Sequence, residues 1–188
     1  MMNKIQIWDP LVRLLHWALA ILVIANFLNE DGAFYHRWIG YTASAIVVVR
    51  IIWGFVGSKH ARFSDWFPTP ARVIEYTRLK LKGQAPRHLG HNPLGALMML
   101  ALIVLVLNQG VTGFMMGTDR FFGEKWLEQW HELASNLILV SIGLHVLGAI
   151  VESIKTRENL PLAMIHGKKR PHGHDHDHGH HHDQRKPH

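Results

Sequence analysis

The sequence predicts an all-α membrane protein, an up-and-down bundle of four membrane-spanning helices with both termini on the cytoplasmic side. The first observation behind this prediction is that four apolar runs interrupt the 188-residue chain, and each has about the 17–25 residues that a helix needs to cross the hydrocarbon core of a bilayer. The second is that the basic residues are concentrated on one side of these runs. The mean hydropathy is close to zero only because it averages the apolar runs with basic connections and a polar tail.

The four predicted spans are Leu11–Leu28, Ile39–Val56, Leu94–Met116 and Leu133–Val151. We expect the first run to be retained rather than cleaved as a signal peptide, because Arg13 and His16 interrupt it and no small-residue cleavage site follows it. Between the second and third spans, apolar and basic residues alternate at helical spacing over Ala71–Lys82. This pattern predicts a helix that lies on the inner membrane surface.

The distribution of lysine and arginine predicts the orientation of the bundle. Sixteen of the twenty basic residues lie at the termini or in the long connection 58–92, three lie in the two opposite loops, and Arg50 lies within the second run. By the positive-inside rule, the termini and the long connection face the cytoplasm, and the short loops 29–37 and 117–132 face outward. The basic balance therefore reports the topology of the chain in a membrane rather than nucleic-acid binding, for which no recognition motif is present.

The composition divides the chain into a membrane domain, residues 1–157, and a cytoplasmic tail, residues 158–188. The whole tail is predicted to be disordered, because from His172 onward it is low in complexity and rich in His, Asp and Gly. Its imidazoles and carboxylates are expected to bind Ni, Zn or Cu. The candidate ligands are His174, His176, His178, His180, His181 and His182. The alternative is a solubilising tail with incidental metal affinity.

Four histidines lie within or at the ends of the apolar helices, where ionisable side chains are costly and mark functional sites. They are His16, His36, His131 and His145. His131 and His145 are fourteen residues apart, so they share nearly one helix face at levels about 21 Å apart. Because successive helices reverse direction, His36 is level with His131 near the outer face, and His16 is level with His145 near the inner face.

Two imidazole pairs at two levels of a four-helix bundle fit two b-type haems, each of which takes one nitrogen on either axial face. A zinc or copper site would require three or four ligands that converge on one point. The absence of cysteine excludes thiolate haem ligands, iron–sulfur clusters and covalent haem attachment. The residues therefore predict two haems b held by histidine alone.

Several motifs are also similar to those of a known family. They are Arg13-Leu-Leu-His16-Trp17, His36-Arg-Trp-Ile-Gly40-Tyr41, Arg50-Ile-Ile-Trp-Gly54, Gly90-His-Asn-Pro-Leu-Gly95, Thr112-Gly113 and the His131…His145 pair. Together they resemble the bacterial cytochrome b-561 family, which is related to the di-haem membrane subunits of nickel–iron hydrogenases and formate dehydrogenases. The resemblance covers Lys4 to about Val151. It implies a quinone-linked electron carrier with two haems b, whose ligands fall on the same four histidines.

Four further residues are weaker candidates. Arg13 and Arg50 are the basic residues placed deepest in the helices, and we expect them to contact haem propionates; snorkelling to the inner interface is the alternative. His91 and Asn92 lie at the inner mouth of the third span, and we expect them to help bind a quinone head group. The alternative for Asn92 is an N-cap followed by Pro93 at the first helical position.

Three functions are consistent with the sequence. The leading one is electron transfer between the quinone pool and a periplasmic redox protein, such as a cytochrome, by an electron-transfer protein or a subunit of a quinone-linked oxidoreductase. The second is a self-contained superoxide:quinone oxidoreductase, which the resemblance also permits. The third is a metal handler that acts through the His-rich tail. The acidic residues of the outer loops favour docking of a positively charged protein over attraction of superoxide. Association of the chain with itself is left open.

Overall fold

The computed structural model describes residues 5–29, 34–86, 90 and 92–169. The elements are β1 (Ile5–Gln6), α1 (Pro10–Phe27), α2 (Phe34–Val56), α3 (Phe63–Trp66), α4 (Pro70–Leu81), α5 (Pro93–Met116), α6 (Lys125–Thr156), α7 (Leu160–His166) and β2 (Lys168–Lys169). A short 3₁₀ turn, Lys59–Ala61, precedes α3. Helices α1, α2, α5 and α6 are each long and apolar enough to cross a membrane. The prediction of a four-helix all-α bundle is therefore confirmed.

The observed helices extend some of the predicted spans. α1 and α5 each begin one residue earlier than predicted, at prolines that fit the first turn of a helix because their missing N–H would be unpaired there. α2 begins at Phe34, so His36 lies in its first turn. α6 has 32 residues and is about 48 Å long, longer than the hydrocarbon core. Its first two turns carry glutamates and tryptophans that do not belong to an apolar run.

The long helices pack closely in the order α1, α2, α5, α6. The membrane-level core is formed by Ala43 and Val47 of α2, Val106 of α5 and Ile138 of α6. Side chains on the outer faces of the same helices are exposed, as expected for surfaces that contact lipid. At Gly110 of α5, an added Cβ would overlap Ser44 of α2, so the absence of a side chain permits this close approach.

The two ends of the bundle differ in construction. We call the end that holds the start of α1, the end of α2, the start of α5 and the end of α6 the terminal end, and the opposite end the loop end. At the terminal end, β1 pairs antiparallel with β2, and the Gly167 carbonyl accepts hydrogen bonds from the backbone N–H groups of Ile7 and Trp8 at 2.8 and 3.1 Å. Gly167 has φ +76°, a conformation that glycine adopts without strain.

This pairing involves part of the segment that the sequence assigned to a disordered tail. Helix α7 and strand β2 lie within 158–188, and Met164 packs against the buried cluster of Ile7, Trp8, Val12 and Ala61. The prediction of disorder is therefore wrong for residues 160–169. They are ordered because they cover apolar surface and supply a strand partner for the start of the chain.

The predicted surface helix is present as α4, which ends one residue before the predicted limit. Its Tyr76 is buried, and Lys80 forms an ion pair with Glu152 of α6 at 3.1 Å. Burial, and then the nearby Glu152 charge, raise the pKa of Tyr76 to about 12. The face of α4 that carries Tyr76 and Lys80 thus packs against the transmembrane bundle.

Candidate functional site

The first histidine pair lies at the loop end. The ring centres of His36 and His131 are 6.4 Å apart, with an angle of 59° between the ring planes. His36 Nδ1 is 2.8 Å from the backbone oxygen of Asn29. A carbonyl oxygen can only accept a hydrogen bond, so His36 Nδ1 carries the proton. Nε2 of the neutral ring is then an unprotonated nitrogen that can bind a metal.

His131 is held in the same protonation pattern by a threonine. Its Nδ1 is 2.7 Å from Oγ1 of Thr112, and that oxygen also lies 2.8 Å from the Asn108 carbonyl. The Thr112 hydroxyl donates its proton to the Asn108 carbonyl. Its oxygen, Oγ1, therefore accepts the hydrogen bond from His131 Nδ1. Gln109 Nε2 donates to the backbone oxygen of His131 at 2.9 Å. Helix α5 therefore fixes both the backbone and the ring of His131.

The second histidine pair lies at the terminal end. The ring centres of His16 in α1 and His145 in α6 are 6.3 Å apart, with an interplanar angle of 48°. Trp17 contacts the His16 ring edge-to-face at 5.3 Å. Nδ1 of His16 is buried and has no hydrogen-bond partner among the described residues. The structure thus brings together the two pairs that the helix levels predict, one near the start of α6 and one fourteen residues further along it.

The spacing within each pair suits an iron between two imidazoles. Two imidazole–metal bonds of about 2.0 Å, with about 1.1 Å from each bonding nitrogen to its ring centre, separate the ring centres by about 6 Å. The observed separations are 6.3 and 6.4 Å. At Gly148, one turn beyond His145, an added Cβ would meet nothing within 4 Å. No three His, Cys, Asp or Glu side chains of the described residues form a metal-binding group. The donor set and the open space fit haem.

The two deep arginines lie at the terminal end, and in the described part of the chain each keeps one N–H without a hydrogen-bond partner. Arg13 Nη1 donates to the backbone oxygen of Ile165, and its buried Nε has no partner among the described residues. Arg50 is 8% exposed and donates from Nη2 to the Ala61 carbonyl at 3.2 Å, and its Nη1 has no partner among the described residues. A buried guanidinium N–H without an acceptor is costly, and a carboxylate would satisfy it.

Asp9 anchors the terminal end and was not among the predicted residues. Its carboxylate accepts from the Val12 N–H at 2.8 Å, from Trp53 Nε1 at 3.1 Å and from the Ser58 hydroxyl. It caps α1 two turns before His16 and ties α1 to the end of α2. The signal that could have identified it is an aspartate directly before a proline at the start of a helix.

The candidate quinone residues are only partly described. His91 lies outside the described residues. Asn92 is the N-cap of α5, and its Oδ1 accepts from the Gly95 N–H at 2.8 Å. The capping alternative is therefore present in the structure, and the quinone role of both residues stays a prediction. The predicted metal ligands of the tail also lie outside the described residues. They are His174, His176, His178, His180, His181 and His182.

A bundle of four membrane-spanning helices with two facing histidine pairs has the architecture of a membrane-bound b-type cytochrome. Comparison with protein families agrees with this class. The chain belongs to the prokaryotic cytochrome b561 family, whose model matches residues 7–167. It is accordingly a multi-pass protein of the bacterial inner membrane that binds haem b and transfers electrons, as the sequence predicts.

The chain is also similar to curated proteins described as probable Ni/Fe-hydrogenase B-type cytochrome subunits. The protein of Azotobacter vinelandii is 25% identical over 213 aligned positions, which cover 88% of each chain. The protein of Cupriavidus necator is 28% identical over 209 positions, which cover 86% of this chain and 85% of the relative. No solved structure gave a significant match.

Proposed function

We propose that this chain binds two haems b, one between His16 and His145 and one between His36 and His131, and passes electrons across the membrane between a quinone and a redox protein at the loop end. The observation that carries the proposal is that two pairs of facing imidazoles lie at two levels along α6. A haem bound at each pair would supply reversible one-electron chemistry. Because each pair offers two imidazoles to one haem, such a haem would have no coordination position free, and electron transfer would be favoured over binding of oxygen or substrate to the iron.

The orientation follows from charge. The basic residues of the long connection and of the chain ends lie at the terminal end, whereas Arg37, Arg120 and Lys125 are the basic residues of the loop end. By the positive-inside rule, the terminal end faces the cytoplasm and the loop end faces the periplasm. The His36–His131 pair is then the one nearer a periplasmic partner.

The partner is a redox enzyme or cytochrome that docks at the loop end. The relatives are described as cytochrome subunits of Ni/Fe-hydrogenases, and this role supports a protein partner here. The described part of the loop end carries Asp119, Glu124, Glu128 and Glu132. These four carboxylates outnumber the three basic residues of the loop end. The net negative charge attracts a positively charged protein surface and repels the superoxide anion.

The quinone site that we favour lies at the terminal end, beside the His16–His145 pair. Quinone reduction consumes protons, and His91 can relay them from the cytoplasmic side while the amide nitrogen of Asn92 can donate to a quinone oxygen. Arg13 and Arg50 offer their unpaired N–H groups to haem propionates at the same end. A quinone site near His36 and Glu132 is the alternative.

Haem content per chain tests the ligand assignment. The purified protein should contain two low-spin haems, and His131→Ala and His145→Ala should each retain one, with different spectra. The side chain of His60 forms an ion pair with Asp65 at 3.0 Å and belongs to neither histidine pair, so His60→Ala is a matched control that should retain two haems. Two haems with unchanged spectra in His131→Ala would refute the assignment.

Reduction by quinol tests the electron pathway. Quinol added to the oxidised protein should reduce both haems, and His91→Ala should slow the reduction while haem content is unchanged. No reduction by any native quinol would contradict the quinone link. An unaltered rate in His91→Ala would contradict only the terminal-end site, and reduction of the protein by superoxide with no protein partner would support the superoxide alternative.

A further inference from the structure

The two histidine pairs differ in how their rings are held. At the loop end, both Nδ1 atoms donate to protein oxygens, that of His36 to the Asn29 carbonyl and that of His131 to Thr112. At the terminal end, Nδ1 of His16 is buried with no partner among the described residues. Thr112 is 5% exposed and, with Arg50, is one of the two buried polar or charged side chains of the described residues.

This difference has a chemical consequence for a bound iron. An imidazole that donates its Nδ1 proton to an acceptor places more electron density on Nε2 and becomes a stronger donor to a metal. A stronger donor stabilises ferric over ferrous iron and lowers the reduction potential. The hydrogen bonds at the loop end therefore favour a lower potential there than at the terminal end.

The fixed charges act in the same direction. Arg13 lies three residues from His16, and the buried Arg50 lies at the same end. Positive charge near an iron favours the reduced state, which carries one positive charge less. At the loop end, Glu132 directly follows His131 and Arg37 directly follows His36, so the charges next to the two ligands there have opposite signs and offset each other.

We propose that Thr112 is a positioning residue for His131, and that its hydrogen bond makes the loop-end haem the lower-potential haem of the two. The proposal rests on the proposed ligand assignment. Thr112 fixes the ring because its own proton is committed to the Asn108 carbonyl at 2.8 Å. At the neighbouring Gly113, an added Cβ would lie 3.5 Å from His131 Cε1, so α5 packs directly beside the ring. Electron transfer from the loop-end haem to the terminal-end haem is then thermodynamically favourable.

The test is a redox titration of the purified haem-loaded protein, with Thr112→Val as the principal variant. Valine keeps the shape of threonine and removes the acceptor. We expect the lower of the two midpoint potentials to rise by the equivalent of a tenfold change in the ferric-to-ferrous ratio, about 59 mV for one electron. The higher midpoint should stay unchanged, and the EPR signal of one low-spin ferric haem should shift because its ligand ring is free to turn.

Two further variants separate this effect from a general disturbance of the membrane domain. Thr112→Ser keeps the hydroxyl and should restore the wild-type potential and EPR signal. Thr42 of α2 is exposed and donates to its own helix at Trp38 O, so Thr42→Val is a matched control that should change neither haem. If Thr112→Val does not retain both haems, Thr112→Ala, which leaves more room, is titrated in its place.

The proposal is overturned if both midpoints stay unchanged in the variant, if the higher midpoint is the one that rises, or if Thr112→Ser behaves like Thr112→Val. A failure of the ligand assignment is recognised separately, because His131→Ala would then retain both haems. Loss of one haem in His131→Ala together with unchanged potentials in Thr112→Val would overturn the role of Thr112 alone.

Discussion

Removal of the Asp9 carboxylate should loosen the terminal end of the bundle. In Asp9→Ala, helix α1 loses its N-cap, and the donors on Trp53 and Ser58 lose their acceptor. Loss of an N-cap costs about 1 kcal/mol. Each donor left without an acceptor costs about 1 kcal/mol, the lower part of the usual range, because both are only partly buried. We expect the free energy of unfolding to fall by about 3 kcal/mol.

The carboxylate also makes the stability depend on pH. Burial raises the pKa of Asp9, but hydrogen bonds from Ser58, Val12 and Trp53 outweigh burial, so the pKa lies below its usual value. A lowered pKa means that the carboxylate stabilises the fold above the pKa of the unfolded chain, about pH 4. This contribution is lost as the pH falls through the lower pKa of the folded protein. In Asp9→Asn, the part of the free energy of unfolding that depends on ionisation of this carboxylate should be absent.

The assay is unfolding by titration with a denaturing detergent, followed by circular dichroism, at neutral pH and at decreasing pH. Asp65→Asn is the matched control, because Asp65 lies at the same end and, among the described residues, forms an ion pair with His60 alone, at 3.0 Å; the substitution should cost less than about 1 kcal/mol. A loss below about 1 kcal/mol in Asp9→Ala, or equal losses in Asp9→Ala and Asp65→Asn, would refute the reasoning. Because His16 lies two turns after Asp9, the absorbance of the haem proposed at His16–His145 should change before that of the haem proposed at His36–His131.

Two other predictions concern packing and ionisation. Gly110→Ala should lower the free energy of unfolding by about 1–3 kcal/mol, because the new Cβ overlaps Ser44; Ser44→Gly in the same chain should recover part of the loss, and purely additive effects would contradict this contact. In alkaline titration of tyrosinate absorbance, one of the three tyrosines should ionise at about pH 12, and Tyr76→Phe should remove that component. Because burial favours the neutral phenol, stability should fall as the pH rises from about 10 toward 12. A titration without this late component would contradict the burial of Tyr76.

The helices that the sequence located best are those whose ends carry local signals. α5 begins at Pro93 after the N-cap Asn92, as the capping interpretation predicts. The early start of α6 was not predicted, because its first turns hold glutamates and tryptophans at the membrane surface, where hydropathy no longer marks a helix. Helix α7 was not predicted either, since its order depends on contact with the distant start of the chain.

The histidine pairs were predictable because helix period and alternating direction determine the level of each residue. The residues that hold the histidine rings in place were not predictable from the sequence. Thr112 was quoted only as part of a motif, and its contact with His131 depends on the rotation of α5 about its axis, which the sequence pattern leaves undetermined. The role of Asp9 could not be predicted either, because it depends on Ser58 and Trp53 lying beside the start of α1, which the sequence does not show.

Helix α6 supplies one histidine to each pair, and this sharing restricts how the chain can change. Every other helix can shift or tilt slightly without altering the separation of the two α6 rings, because one continuous helix sets that separation. Substitutions between His131 and His145 preserve it. A single inserted or deleted residue does not, because it turns one ring by about 100° away from the shared face. Between these two positions the protein can vary in sequence but not in length.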